Sequence, residues 1–268
     1  METTIQEPKL GNSKDAKNRK AVKRLILVIG DKGGTGKSTF SRILGETHRQ
    51  AKKSTLLVDA DGTVGQMLQF LGERNVDGRL VPQPQSRDGV TVFTLHGTET
   101  DRDNLTELLK SGAETIVVDL PAVSLTILRN VQNDIDYLRL VDETGYALTL
   151  VSLLTPFRAS IRGIGDALEL APKATHVVVR NLNSGDEDDF ELWEASAAKK
   201  TLAERGGMLI DMPRLKARIA AKLDKDNIRY HDAPDASVLT LADRSRSRKW
   251  LDEAKKNLEP AHEALGLI

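Results

Sequence analysis

Alternating apolar and helix-patterned stretches predict an α/β fold, a doubly wound and mostly parallel β-sheet with helices on both faces. Two observations carry that expectation. Several apolar runs are continuous rather than alternating, as in strands buried on both faces of a parallel sheet. The runs and the helical stretches also follow one another in βαβα order.

Residues 1 to 22 are polar, rich in Lys, and without apolar period, so they are expected as a flexible tail. Lys14, Lys17, Arg19, Lys20, Lys23 and Arg24 make the end of the tail basic. That suits a solubilising segment or a weak nucleic-acid contact. Residues 23–268 are expected as one domain. Its strands are predicted at Leu25–Ile29, Thr55–Val58, Val90–Leu95, Thr115–Asp119, Tyr146–Leu153, Thr175–Val179 and Met208–Ile210. Helices are predicted at Ser38–Gln50, Asp101–Leu109, Leu125–Leu140, Arg158–Leu170, Asp188–Arg205 and Pro213–Leu223. Residues 236–265 close the chain as one or two helices. The acidic run Asp186–Asp189 reads as the charged first turn of a helix.

In such sheets ligands bind at the carboxyl ends of the strands, and the candidate chemistry gathers there. The first strand runs into Asp31-Lys32-Gly33-Gly34-Thr35-Gly36-Lys37-Ser38-Thr39, and a helix follows. Strand, glycine-rich loop, Lys-Ser and helix form the context of a phosphate-binding loop. The glycines allow successive backbone N–H groups to turn inward on phosphate oxygens, and the helix N-terminus favours the same anion. Lys37 would reach the β- and γ-phosphates, and the Ser38 hydroxyl would bind Mg²⁺. Gly33, Gly34, Thr35, Gly36 and Thr39 complete the nucleotide cradle. The loop departs from the strict G-x-x-x-x-G-K-[ST] form, because Asp31 stands where the first glycine belongs and Gly30 comes one residue early.

The loop has instead a second lysine, Lys32, directly before Gly33-Gly34. This Lys-Gly-Gly-x-Gly-Lys-Ser form resembles the deviant Walker A loop of the ParA/MinD family of P-loop ATPases. The resemblance implies that Lys32 reaches across a nucleotide-sandwich homodimer to the partner's ATP, so that ATP holds the dimer and hydrolysis dissolves it. Asp119 ends the run Ile116-Val117-Val118 and is followed by Pro121, as in the family's Walker B strand and switch II. It would hold Mg²⁺ together with Ser38, since Mg²⁺ prefers few protein ligands and several waters. Asp59-x-Asp61 resembles the family's switch I pair. Two residues apart on a strand, both side chains would share a face. The resemblance gives Asp61 the positioning of the attacking water and Asp59 a place in the Mg²⁺ shell. After this pair the chain departs from the family and reads Gly62-Thr63-Val64-Gly65-Gln66. Asn181 stands where family members read the adenine edge, and Pro213, in Asp211-Met212-Pro213-Arg214, where they cover the base. An Asn-x-Asn turn and a proline at the first turn of a helix are the ordinary alternatives.

Composition limits the function classes. The formal net charge is zero, so attraction to nucleic acid must come from a local patch. With no cysteine, disulfides, thiolate metal sites and iron–sulfur clusters bound by this chain are excluded, and a role in metal or iron–sulfur insertion is disfavoured. Tyr137, Tyr146 and Tyr230 do not cluster as in a tyrosine autokinase. No apolar run approaches the roughly 20 residues of a spanning helix, and no signal-peptide core is visible. A cytoplasmic location is expected. The last residues, Glu263–Ile268, lack the basic face of a membrane-attaching helix, so no membrane partner is expected.

Arg214, Lys216, Arg218, Lys222, Arg244, Arg246, Arg248 and Lys249 could contact DNA phosphates without reading sequence, and nucleoid association would follow. Asp224, Asp226 and Asp243 dilute that charge, and the same residues suit a solvated helix face. Three functions fit the resemblance. One is a ParA-like ATPase for plasmid or chromosome partition or cargo positioning, with slow hydrolysis stimulated by a partner protein. The second is the same switch as a conjugation or secretion accessory, and the third an ATP-dependent metabolic synthetase.

Overall fold

The computed structural model describes residues 22–30, 32–62, 65–95 and 98–268. The expected tail, apart from Val22, lies outside the described residues, as does Asp31 of the loop. The sheet has seven strands, all parallel, in the order β3-β2-β4-β1-β5-β6-β7. The strands are β1 Lys23–Ile29, β2 Thr55–Asp59, β3 Thr91–Val92, β4 Thr115–Asp119, β5 Tyr146–Leu154, β6 Thr175–Asn181 and β7 Met208–Met212.

Strand β1 shows why the sheet is two-sided. Leu25, Leu27 and Ile29 face one core with Ile116, Val118 and Leu150. Ile26 and Val28 face the other with Leu57, Val117, Val151 and Val177. Successive side chains leave a strand on opposite sides, so an unbroken apolar run serves both cores. The first core is covered by α3 (Glu99–Leu108), α4 (Ser124–Ile135), α5 (Tyr137–Glu143) and part of α6 (Arg158–Leu170). The second is covered by α1 (Lys37–Gln50), α2 (Gln66–Leu71), α9 (Ala217–Lys225) and α10 (Leu241–Leu258). A satellite cluster around Trp193 and Phe190 joins α6 to the short α7 (Glu191–Glu194) and to α8 (Ala197–Glu204).

Several predicted elements change under tertiary constraints. The strand expected over Val90–Leu95 shrinks to Thr91–Val92 at the sheet edge, where β2 alone pairs with it. The helix expected over Leu125–Leu140 divides at Asp136, whose φ of 51° lies in the left-handed region that Asp tolerates. The Gln132 side chain bridges the break, accepting from Leu138 N at 2.8 Å and donating to Asp136 at 2.8 Å. The helix expected over Asp188–Arg205 becomes a 3₁₀ turn, Glu187–Phe190, then α7 and α8. Asp186 and Asp189 form a capping box on the turn, and the Ser196 hydroxyl caps α8. The helix expected from Pro213 starts only at Ala217, because Pro213 and Leu215 remain extended and buried beside the β6 exit. Residues 236–265 give one long helix, α10, capped by Thr240 and followed by a 3₁₀ turn at Glu259–Ala261.

The carboxyl-terminal residues lock onto the sheet. Leu265 is buried, and its carbonyl accepts a 2.8 Å bond from the His48 ring. Thr149 donates to the Ala264 carbonyl at 2.7 Å. The other nitrogen of His48 lies 2.9 Å from the Thr55 hydroxyl, an arrangement that suits a neutral ring accepting there while it donates to Leu265. Burial pushes its pKa down to about 4. The folded state therefore favours the neutral ring, and this contribution is present above pH ~6.5 and lost as pH falls toward 4. It is worth on the order of 3 kcal/mol. We expect the urea midpoint of the wild type, relative to that of His48→Gln, to fall between pH 7 and pH 4.5. Parallel pH profiles for the two proteins would refute that role. Among the described residues no helix is long and apolar enough to cross a membrane.

Candidate nucleotide site

The loop joining β1 to α1 lies at the centre of the sheet's carboxyl edge, beside β4 on one side and β5 on the other. This is where the winding direction of the sheet reverses, the position at which open α/β sheets form a crevice. Its backbone is fixed at both ends by other elements. Gly30 N donates to the Ser124 hydroxyl at 3.1 Å, and the Asn181 amide donates to the Thr35 carbonyl at 2.9 Å. Gly34 and Gly36 have φ of 75° and 98°. At Gly36 a Cβ would also stand 2.6 Å from Asn181 Nδ2 and 2.8 Å from Met212 Cε, so only glycine fits. Gly36 gives α1 no side-chain cap, which leaves first-turn N–H groups to an anion.

Lys37 is buried, with its ammonium 3.3 Å from the Lys32 carbonyl. Thr35 donates to the same carbonyl at 3.3 Å. The loop is thus curled around its own lysine, while the Lys32, Gly33 and Gly34 residues are exposed. Ser38 and Thr39 follow, half-buried, on the first turn of α1.

Asp119 stands at the tip of β4, 2% exposed. Ser41 donates to it at 3.0 Å, and Ser38 also hydrogen-bonds to it. Burial pushes its pKa up to about 7, with the neighbouring Asp59 adding to the rise. A buried carboxyl group that is costly to ionise alone, with a serine hydroxyl beside it, is a hard-oxygen donor set that fits Mg²⁺. Ser41 was not anticipated from the sequence. Its signal was its spacing, three residues after Ser38 on one helix face. Ser124 carried no comparable signal.

The two carboxylates expected as a switch I pair, Asp59 and Asp61, do not share a face. Strand β2 ends at Asp59, so its period of two does not extend to Asp61. Asp59 is fully buried and accepts from Asp61 N at 3.2 Å and Leu68 N at 2.9 Å. Burial raises its pKa in spite of these bonds. Asp59 thus holds the amino end of α2, a six-residue helix the sequence reading did not predict. A Cβ on Gly65 would lie 1.9 Å from Asp59 Oδ1, so the loop passes directly over the carboxylate. Asp61 is exposed and bridges to Thr94.

The exits of β6 and β7 are bound together on the far side of the loop. Arg180 forms a two-pronged pair with Asp211 at 2.7 and 3.0 Å. The Asn181 oxygen accepts from Asn183 N at 3.0 Å, so its amide is engaged with the loop and with its own turn. Pro213 is buried, and its carbonyl accepts a 2.9 Å bond from Trp250 Nε1. A cleft of about 390 Å³ lies beside it, with Ile219 and Trp250 at its base and Lys216 and Lys249 at its rim. A second cleft, of about 260 Å³, lies between the phosphate loop and α6 and is lined by the largely exposed Phe157.

The basic residues of α9 and α10 are partly neutralised. Arg218 and Arg246 share Asp243 at 2.6 and 3.0 Å, Arg214 faces Asp186 at 3.1 Å and Arg248 faces Asp235 at 3.8 Å. Arg244 donates to the Ala236 carbonyl. Lys216 and Lys249 are exposed, and Lys222 is half-buried.

A model of the CobQ/CobB/MinD/ParA nucleotide-binding domain matches residues 26–247. The chain belongs to this family. The resemblance read from the phosphate loop is thereby borne out, as is the parallel α/β fold. Protein MobD of Acidithiobacillus ferrooxidans is 27% identical over 254 residues, covering 88% of this chain and 97% of that protein. Among solved structures, the ATP complex of a variant of Cyanothece McdA matches with a TM-score of 0.55 at 14% identity, over 93% of this chain and 98% of that one. The septum site-determining protein MinD of Pyrococcus horikoshii OT3, complexed with Mg-ADP, matches with a TM-score of 0.50 at 16% identity, over 87% and 95%. At these identities the likeness of both structures to this member of the family is one of fold.

Proposed function

We propose that this chain is a ParA-like ATPase that binds ATP with Mg²⁺, forms an ATP-sandwich homodimer, and in that state binds DNA non-specifically. The observation that carries the reading is the meeting of Lys37, Ser38 and Asp119 at one point of the sheet edge, beside an exposed Lys32. Loop N–H groups and Lys37 would hold the phosphates, while Ser38 and Asp119 would hold Mg²⁺, which neutralises charge on the β- and γ-phosphate oxygens. Lys32 is free to extend from the loop toward a second copy. Asp61, exposed beyond the strand tip, would orient the attacking water. Asp59 would act from behind, shaping the switch loop that carries Asp61. Asn181 would position the loop beneath the base, with the Pro213 segment alongside. Phosphoryl transfer needs mainly positioning and charge stabilisation, which suits so small a set of groups. Hydrolysis is slow and partner-stimulated in this reading, and serves partition or cargo positioning.

The support for DNA is the exposed Lys216 and Lys249 with Arg214 and Arg246 around one cleft. Half-neutralised, this patch would be weak in a monomer, and dimerisation would double it. We expect wild-type protein to bind duplex DNA with ATP and Mg²⁺ and not with ADP or without nucleotide. About four phosphate contacts would make binding fall roughly 100-fold between 50 and 200 mM salt. Equal binding in all nucleotide states, or none in any, would overturn the DNA reading.

A further inference from the structure

Helix α1 carries a second feature one turn beyond the phosphate-binding residues. The Arg42 guanidinium is buried, 4% exposed, and its Nε and Nη2 have no hydrogen-bond partner. It lies between two aromatic rings, 3.3 Å from the centroid of Phe70 and 4.0 Å from that of Tyr230. Glu46, a turn further on, accepts from Tyr230 N at 3.0 Å and His231 N at 2.7 Å.

Both rings belong to elements that touch the nucleotide site. Phe70 is on α2, whose amino end is held by Asp59. The Tyr230 hydroxyl is hydrogen-bonded to the Thr39 side chain, next to Ser38. Gln69 of α2 also donates to Asn227 at 2.7 Å. The segment these groups grip, residues 224–231, leads directly from α9, the helix bearing Arg218 and Lys222. A cation–π stack attracts without the fixed direction of a hydrogen bond, so the guanidinium can follow either ring. Its unused N–H groups favour any shift that brings an acceptor within reach.

We propose that the Phe70–Arg42–Tyr230 stack, tied to the first turns of α1 by the Tyr230 hydroxyl on Thr39, couples nucleotide occupancy to the position of the 224–231 segment, and so to the basic face of α9. The proposal rests on the nucleotide reading for its input and on the DNA reading only for its consequence. Arg42 and Tyr230 are positioning residues in this scheme, in contact with no phosphate.

Amide hydrogen exchange across residues 222–231 tests it, measured with ATP and Mg²⁺, with ADP and without nucleotide, beside an ATP-binding titration. In the wild type we expect exchange in this segment to differ about tenfold between the ATP and ADP states. In Tyr230→Phe, which keeps the ring and loses the hydroxyl, and in Arg42→Met, the difference should shrink below about threefold while ATP affinity stays within about threefold. Bound ATP with no wild-type response at 222–231 overturns the coupling, and so does a full response in Tyr230→Phe. If Arg42→Met does not fold, Tyr230→Phe decides alone. A wild type that binds no ATP overturns the nucleotide reading itself, and the coupling with it. Absence of DNA binding leaves the exchange readout intact.

Discussion

Lys37→Ala is expected to weaken ATP binding by about 100-fold and to abolish measurable turnover. A charge-assisted bond from a desolvated ammonium to phosphate contributes about 1.5–3 kcal/mol, and each ~1.4 kcal/mol is tenfold in affinity. Lys37 is well placed to make such a bond, since its side chain is buried inside the loop and its ammonium now rests on the Lys32 carbonyl. The variant should fold, because the loop remains pinned by Ser124 and Asn181, whose bonds go to the loop backbone at Gly30 and Thr35. Calorimetric titration with ATP and Mg²⁺, with a urea midpoint as the folding control, separates the two effects. Unchanged affinity in a folded variant would remove Lys37 from the site.

Asp61→Ala should retain ATP and lose hydrolysis by about 100-fold or more, the scale of a missing water-positioning group. With hydrolysis blocked, the proposed dimer has no route of release, so sedimentation with ATP and Mg²⁺ should show a persistent dimer. Lys32→Ala should do the reverse, leaving a monomer that binds ATP within about threefold of wild type. The separation is expected because Asp61 and Lys32 are both exposed, while Lys37 and Asp119 are buried and Ser38 is half-buried. A dimer in Lys32→Ala, or only monomer in Asp61→Ala, would count against the sandwich.

The legibility of the chain follows from the range of its interactions. The strand Thr115–Asp119 and the helix Arg158–Leu170 were readable to the residue, because a continuous apolar run and an apolar stripe are themselves the conditions for burial on two faces or one. The family resemblance was readable from the loop after β1 for a related reason. Binding phosphate with backbone N–H groups requires glycines, a lysine and a helix start at fixed local spacing, so the chemistry is written in consecutive residues.

Contacts between distant segments were not readable. That Asp59 turns inward to hold α2, and so parts from Asp61, depends on where β2 stops and on the glycine passing over its carboxylate. That Asn181 binds the loop depends on β6 lying two strands from β1 in the sheet. The break at Asp136 sits within an unbroken apolar period, and only packing against the core reveals it. Local pattern, then, determined the fold class, the order of the strands and the glycine–lysine loop after β1, because each depends on residues within a turn or a strand. The tertiary structure decided which carboxylates lie at the loop, which surface cations of α9 and α10 are neutralised, and that Arg42 joins α1, α2 and residue 230. Burial and charge pairing are properties of neighbours in space, and such neighbours can stand as far apart along the chain as Arg42 and Tyr230.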